Sequence, residues 1–139
     1  MTPVPLHSTI FPIQAEMISV YLPLAPLRLL LAFQAAYFLL TGIWPLVHIR
    51  SFMAVTGPKR DLWLVRTVGV LITVVGAVLA AAAWNGNFSF EIFLLAVGCA
   101  AALTAIDVIY VTNGTISPIY LADAALEILL IVLWVVLWV

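Results

Sequence analysis

Residues 118–138 read P-I-Y-L-A-D-A-A-L-E-I-L-L-I-V-L-W-V-V-L-W. Apart from Asp123 and Glu127 the stretch carries no charge. About twenty apolar residues in helical form cross the hydrocarbon core of a bilayer. The stretch therefore reads as a membrane-spanning helix with two acids near its start, one helical turn apart and on one face. Ser117 is placed to cap it and Pro118 to occupy its first position, where the missing N–H costs nothing.

Working back along the chain, three more stretches meet the same criterion. The spans fall at about 26–47, 62–84, 90–111 and 118–138. Trp84-Asn85-Gly86-Asn87 reads as the turn between the second and third, with Ser89 as a cap. Asn113-Gly114 reads as the stop of the third. The composition agrees. The 139 residues are 66% hydrophobic and 8% charged, with a mean hydropathy of +1.27. Soluble domains are nearer a quarter charged. The expected fold is an all-α, antiparallel four-helix bundle embedded in a membrane, one domain over 26–139. Residues 1–25 read as a separate interfacial or loosely ordered segment, with an interfacial helix over 9–21 as one form. They lack the basic start of a cleavable signal.

Orientation follows from the basic residues. His48, Arg50, Lys59, Arg60 and Arg66 cluster between the first two spans or just inside the second. The excess of Lys and Arg on cytoplasmic loops places this loop inside the cell and both termini on the exterior or periplasmic side. The expected location is a bacterial inner (plasma) membrane, crossed several times. Small residues suggest how the helices meet. Gly69, Gly76, Ala80 and Ala83 give the second span a smooth face, and Gly98, Ala101, Ala102 and Ala105 do so for the third. Such faces also suit a homo-oligomer.

The acids are then placed by counting. Asp107 lies six residues before Asn113 and Asp123 six after Ser117. Both are expected at a similar depth, about 9 Å inside the helix ends. Glu127 lies one turn deeper. Arg66 begins the second span on the same side, and its spacing from Gly69 and Thr73 suggests that it points inward as the partner of Asp107. Gln34, Tyr37, Thr41, Trp44 and His48 recur at steps of three and four along the first span, a polar stripe expected to face the interior. Thr104, Asp107 and Tyr110 continue it on the third, and Tyr120 and Trp134 flank Glu127 on the fourth.

Charges at membrane depth are costly and mark functional sites or paired structural networks. Three buried carboxylates against one guanidinium leave an excess of negative charge. At least one acid is therefore expected to hold its proton at neutral pH, unless His48, a metal or a cationic ligand compensates.

Other chemistries lack their residues. Net charge is −1, which argues against nucleic-acid binding. The single Cys99 forms no intrachain disulfide and no Cys-based metal cluster, and reads as a packed core thiol. No phosphate-binding loop or metal-ligand spacing is present, and no cofactor is expected.

The segments V-T-G-P-K-R-D-L-W-L-V-R-T-V-G (55–69), I-D-V-I-Y (106–110) and I-S-P-I-Y-L-A-D (116–123) resemble small four-helix bacterial membrane proteins, over most of the chain. That resemblance implies a fold and carries no activity. In size and helix count the chain is also similar to the DoxX-like family and to sterol-isomerase-like four-helix membrane folds, without a motif that would transfer a residue's role.

The functional expectation is a membrane enzyme acting on a lipophilic small molecule, isoprenoid, sterol-like or epoxide-bearing. Asp107, Asp123, Glu127 and Arg66 would carry acid–base chemistry such as isomerisation, cyclisation or epoxide opening. Gln34, Tyr37, Thr41, His48, Tyr110, Tyr120 and Trp134 would line the substrate site. Two alternatives stand beside it: an accessory or structural subunit of a membrane complex, and a small oligomeric module that binds or transports a cation, a proton or a small amine.

Overall fold

The computed structural model describes residues 24–139, so the expected segment over residues 1–25, including its helix at 9–21, lies almost entirely outside the described residues. Among those described, the structure is all helical, with no strand. The helices are α1 (Ala25–Val47), α2 (Ile49–Thr56), α3 (Leu62–Asn85), α4 (Phe90–Thr112) and α5 (Tyr120–Trp138). Four of them, α1, α3, α4 and α5, are long and apolar enough to cross a membrane, with mean hydropathies of 1.7, 2.2, 2.4 and 2.3.

The short helix α2 was not expected; its segment reads as loop in the sequence. His48 leaves helical geometry (φ −141°, ψ 71°) and its Nδ1 accepts from the Ser51 backbone N–H, which starts the new helix. Trp44 fastens α2 back onto α1. Its indole N–H donates to Ser51 Oγ at 2.8 Å, and its ring meets Phe52 edge-on at 5.6 Å. Gly57 ends α2 at φ 88°, a conformation that a side chain would strain, and Pro58 follows.

The other boundaries follow the sequence signals closely. Gly86 takes the left-handed conformation (φ 64°, ψ 32°) and closes α3, and Gly114 (φ 69°) turns the chain after α4. The start of α5 differs. Tyr120, Leu121 and Ala122 donate to the carbonyls of Ser117, Pro118 and Ile119. These are three-residue steps, so residues 117–119 form a tighter turn and the α-helix begins at Tyr120, two residues after Pro118. Ser117 Oγ accepts from Ile119 N–H at 3.4 Å rather than capping α5 itself.

Packing pairs α1 with α3 and α4 with α5, and α1 also meets α5; α3 and α4 touch only sparsely. The α1–α3 approach is made by glycines. A Cβ at Gly42 would come within 2.8 Å of the Gly69 carbonyl oxygen, and one at Gly76 within 2.9 Å of the Leu39 backbone nitrogen. The small face of the second span is thus used as expected. The small face of the third is not: Gly98, Ala101, Ala102 and Ala105 are all exposed, and nothing lies within 4 Å of a Cβ at Gly98. Cys99 beside them is half-buried.

The tightest part of the interior is a belt of side chains that are almost wholly buried: Leu31, Phe38, Leu79, Leu130 and Trp134. Gln34 lies among them. Its amide N–H donates to the Ala96 carbonyl at 2.9 Å, and its carbonyl oxygen accepts from the Trp134 indole N–H at 2.6 Å. One amide therefore ties α1 to α4 and α5 at once. A buried amide with both ends paired avoids the penalty for burying polar groups without partners.

Candidate functional site

On one side of this belt the helices part around a cavity of about 410 Å³. Every helix contributes to it. Tyr37, Thr41 and Trp44 come from α1, and Phe52 and Thr56 from α2. Val65, Val68, Gly69 and Ile72 form the α3 wall. From α4 come Leu103, Ile106 and Asp107, and from α5 Tyr120, Asp123 and Glu127. The three acids singled out by counting residues therefore do line one space.

The walls are mostly apolar, which makes the acids the unusual feature. Glu127 is 0% exposed and Asp107 5%, while Asp123 is half-buried. Neither oxygen of Glu127 has a hydrogen-bond partner, nor does Asp107 Oδ2, nor the Thr104 hydroxyl one turn before Asp107. Buried polar atoms are nearly always paired. Three of these four atoms belong to Asp107 and Glu127, which line the cavity; Thr104 does not line it.

Several expected members lie elsewhere. Arg66 is exposed and does not line the cavity. At about 100° per residue, Arg66 sits some 60° round α3 from Gly69, on the flank opposite Val65 and Ile72. The inward orientation read from its spacing to Gly69 is thereby corrected. Tyr110 is 43% exposed and is also outside the cavity. Six residues beyond Thr104 falls about 120° short of two full turns, which carries Tyr110 off the inner face. His48 is exposed and is occupied in starting α2. Gln34 and Trp134 belong to the buried belt, not to the cavity lining. Tyr37, Thr41 and Tyr120 do line the cavity, although the Thr41 hydroxyl donates to the Tyr37 carbonyl at 2.9 Å.

A cation is present that the sequence reading assigned only to topology. Lys59 lines the cavity. Its ammonium stands 4.7 Å from the centre of the Tyr120 ring and donates to the Thr56 carbonyl at 3.1 Å. Phe52 and Thr56 were missed with it. A signal existed: they lie four residues apart in I-R-S-F-M-A-V-T, on one face of a helix that Gly57-Pro58 terminates.

The cavity is open along its side. Leu64, Val68 and Ile106 both line it and are exposed, at 48%, 42% and 51%. They flank the line where α3 and α4 pack only sparsely. Among the described residues no three His, Cys, Asp or Glu side chains converge as metal ligands. Comparison with protein-family models, with curated proteins and with solved structures gave no match.

Proposed function

We propose that this chain is a four-helix bundle of the bacterial inner membrane. Its termini are exterior, and α2 with the loop carrying Lys59 and Arg60 lies on the cytoplasmic side. In this reading it is an enzyme that acts on a lipophilic small molecule by acid–base chemistry from intramembrane carboxylates. One observation carries it: Glu127 is fully buried, has both oxygens unpaired, and faces an apolar cavity that Asp107 and Asp123 also line.

A substrate of isoprenoid, sterol-like or epoxide-bearing type enters sideways from the lipid between α3 and α4. The protonated carboxyl of Glu127 or Asp123 gives its proton to a double bond or an ether oxygen. An ionised neighbour, Asp107 foremost, takes a proton from an adjacent carbon. The result is a shifted double bond, a closed ring or an opened epoxide, with no net change in the protons that the site holds. Apolar walls exclude water, which strengthens the charge interactions on the developing cation. Lys59 stands at the mouth and offsets part of the negative charge.

The test is proton transfer itself. Purified protein in lipid nanodiscs is incubated in D2O with a panel of isoprenoid olefins, and carbon-bound deuterium is read by mass spectrometry. The wild type is expected to label one member of the panel, and folded Glu127→Gln and Asp123→Asn variants are expected not to. Undiminished labelling in both variants would overturn the assignment.

A further inference from the structure

The charges around the cavity do not balance, and their positions show where the imbalance lies. Lys59 is the basic side chain in the lining. It is held at the mouth by the Tyr120 ring and the Thr56 carbonyl. Tyr120 lies one turn before Asp123 and two turns before Glu127 along α5, so the ammonium marks the outer end of the acid row. The inner end, Glu127 with Asp107 across from it, has carboxylate oxygens that accept no hydrogen bond from a protein group: both of Glu127 and Oδ2 of Asp107.

The surroundings select among cations. A metal ion wants several oxygen or nitrogen ligands closing around one point, and the described residues offer no such set. An organic ammonium wants carboxylates at one end, aromatic faces beside it, and apolar contact for its body. The cavity supplies all three: Glu127 and Asp123, the rings of Tyr37 and Trp44, and the wall of Val68, Ile72 and Leu103. Lys59 over Tyr120 is an ammonium already seated on an aromatic ring of this lining.

We propose that the cavity binds a lipophilic ammonium, a compact apolar body whose positive nitrogen lies against Glu127 and Asp123. This deepens the enzymatic reading of the same site and rests on it for the site's function. It adds that the bound species, substrate or intermediate, carries positive charge at the inner end of the cavity.

The probe is tritiated 1-adamantylamine, whose neutral counterpart of the same shape is 1-adamantanol. Binding to wild-type protein in nanodiscs is measured by equilibrium dialysis against empty nanodiscs. Saturable binding is expected, with unlabelled amine competing at least tenfold better than the alcohol. Glu127→Gln is expected to weaken binding at least tenfold, while Arg28→Ala, at the other end of α1, leaves it unchanged. Equal competition by the alcohol in the wild type overturns the proposal without recourse to any variant. So does unaltered affinity in folded Glu127→Gln and Asp123→Asn. Deuterium labelling without ammonium selectivity would sink this inference and leave the catalytic reading. Ammonium selectivity without labelling of any substrate would do the reverse.

Discussion

The indole N–H of Trp134 donates to the side-chain oxygen of Gln34 across 2.6 Å, joining two residues 100 positions apart in the chain. With the second bond from Gln34 to the Ala96 carbonyl, this is the polar fastening of the buried belt. Trp134→Phe keeps most of the ring packing and removes one donor. Interhelical hydrogen bonds in membranes are worth about 0.6 kcal/mol on average and about 1.7 at most, so the loss should fall in that range. Gln34→Leu removes both bonds and leaves the Ala96 carbonyl and the indole unpaired, for a larger loss of about 1–3 kcal/mol. Reversible unfolding in mixed micelles measures both; a larger loss in Trp134→Phe than in Gln34→Leu would contradict the arrangement.

The glycines divide sharply in what they tolerate. Gly42→Ala drives a methyl to 2.7 Å from Thr73 Oγ1 and 2.8 Å from the Gly69 carbonyl. Backbone lies in the way, so α1 and α3 must separate, at a cost of about 1–3 kcal/mol or more. Gly98→Ala meets open space and should change stability by no more than about 0.5 kcal/mol, or raise it through helix propensity. Thermal unfolding of the two variants side by side checks the contrast.

Glu127 should cost stability in return for function. Glu127→Met fills similar volume and removes two buried oxygens that lack partners. Removing an unpaired buried polar group recovers about 1–3 kcal/mol, so this variant is expected to melt higher than the wild type while losing deuterium transfer. A lower melting temperature would mean that the carboxyl is a structural element, held by contacts that form only in the membrane.

Orientation is checked by labelling. In a Cys99→Ser background, Arg60→Cys should react with a membrane-impermeant maleimide only when the cytoplasmic face is accessible, and Asn87→Cys should react in intact cells. Both positions are exposed. The opposite pattern would invert the assigned sidedness.

The long helices were legible because length and hydropathy act over twenty residues, and Gly86 and Gly114 mark their ends by backbone geometry alone. Asp107, Asp123 and Glu127 line one cavity, a juxtaposition that hairpin connectivity and a fixed rise per residue make readable from the sequence. Direction round a helix was less secure. Arg66 and Tyr110 lie a small number of residues from buried neighbours, and 60–120° of rotation accumulates over those steps. Lys59 was hidden for another reason. A positive residue in a loop serves topology whatever else it does, and only the unforeseen helix α2 brings it over Tyr120.

The side opening between Leu64, Val68 and Ile106 has a consequence for how any ligand will be measured. A molecule that arrives through that flank is drawn from the bilayer, where its concentration is set by oil–water partitioning. Two compounds with equal affinity for the cavity will then show apparent dissociation constants in buffer that differ by the ratio of their partition coefficients. Doubling the lipid at fixed total ligand will weaken apparent binding, although nothing at the cavity has changed. On the proposed entry from lipid, affinities for this protein are meaningful as mole fractions in lipid.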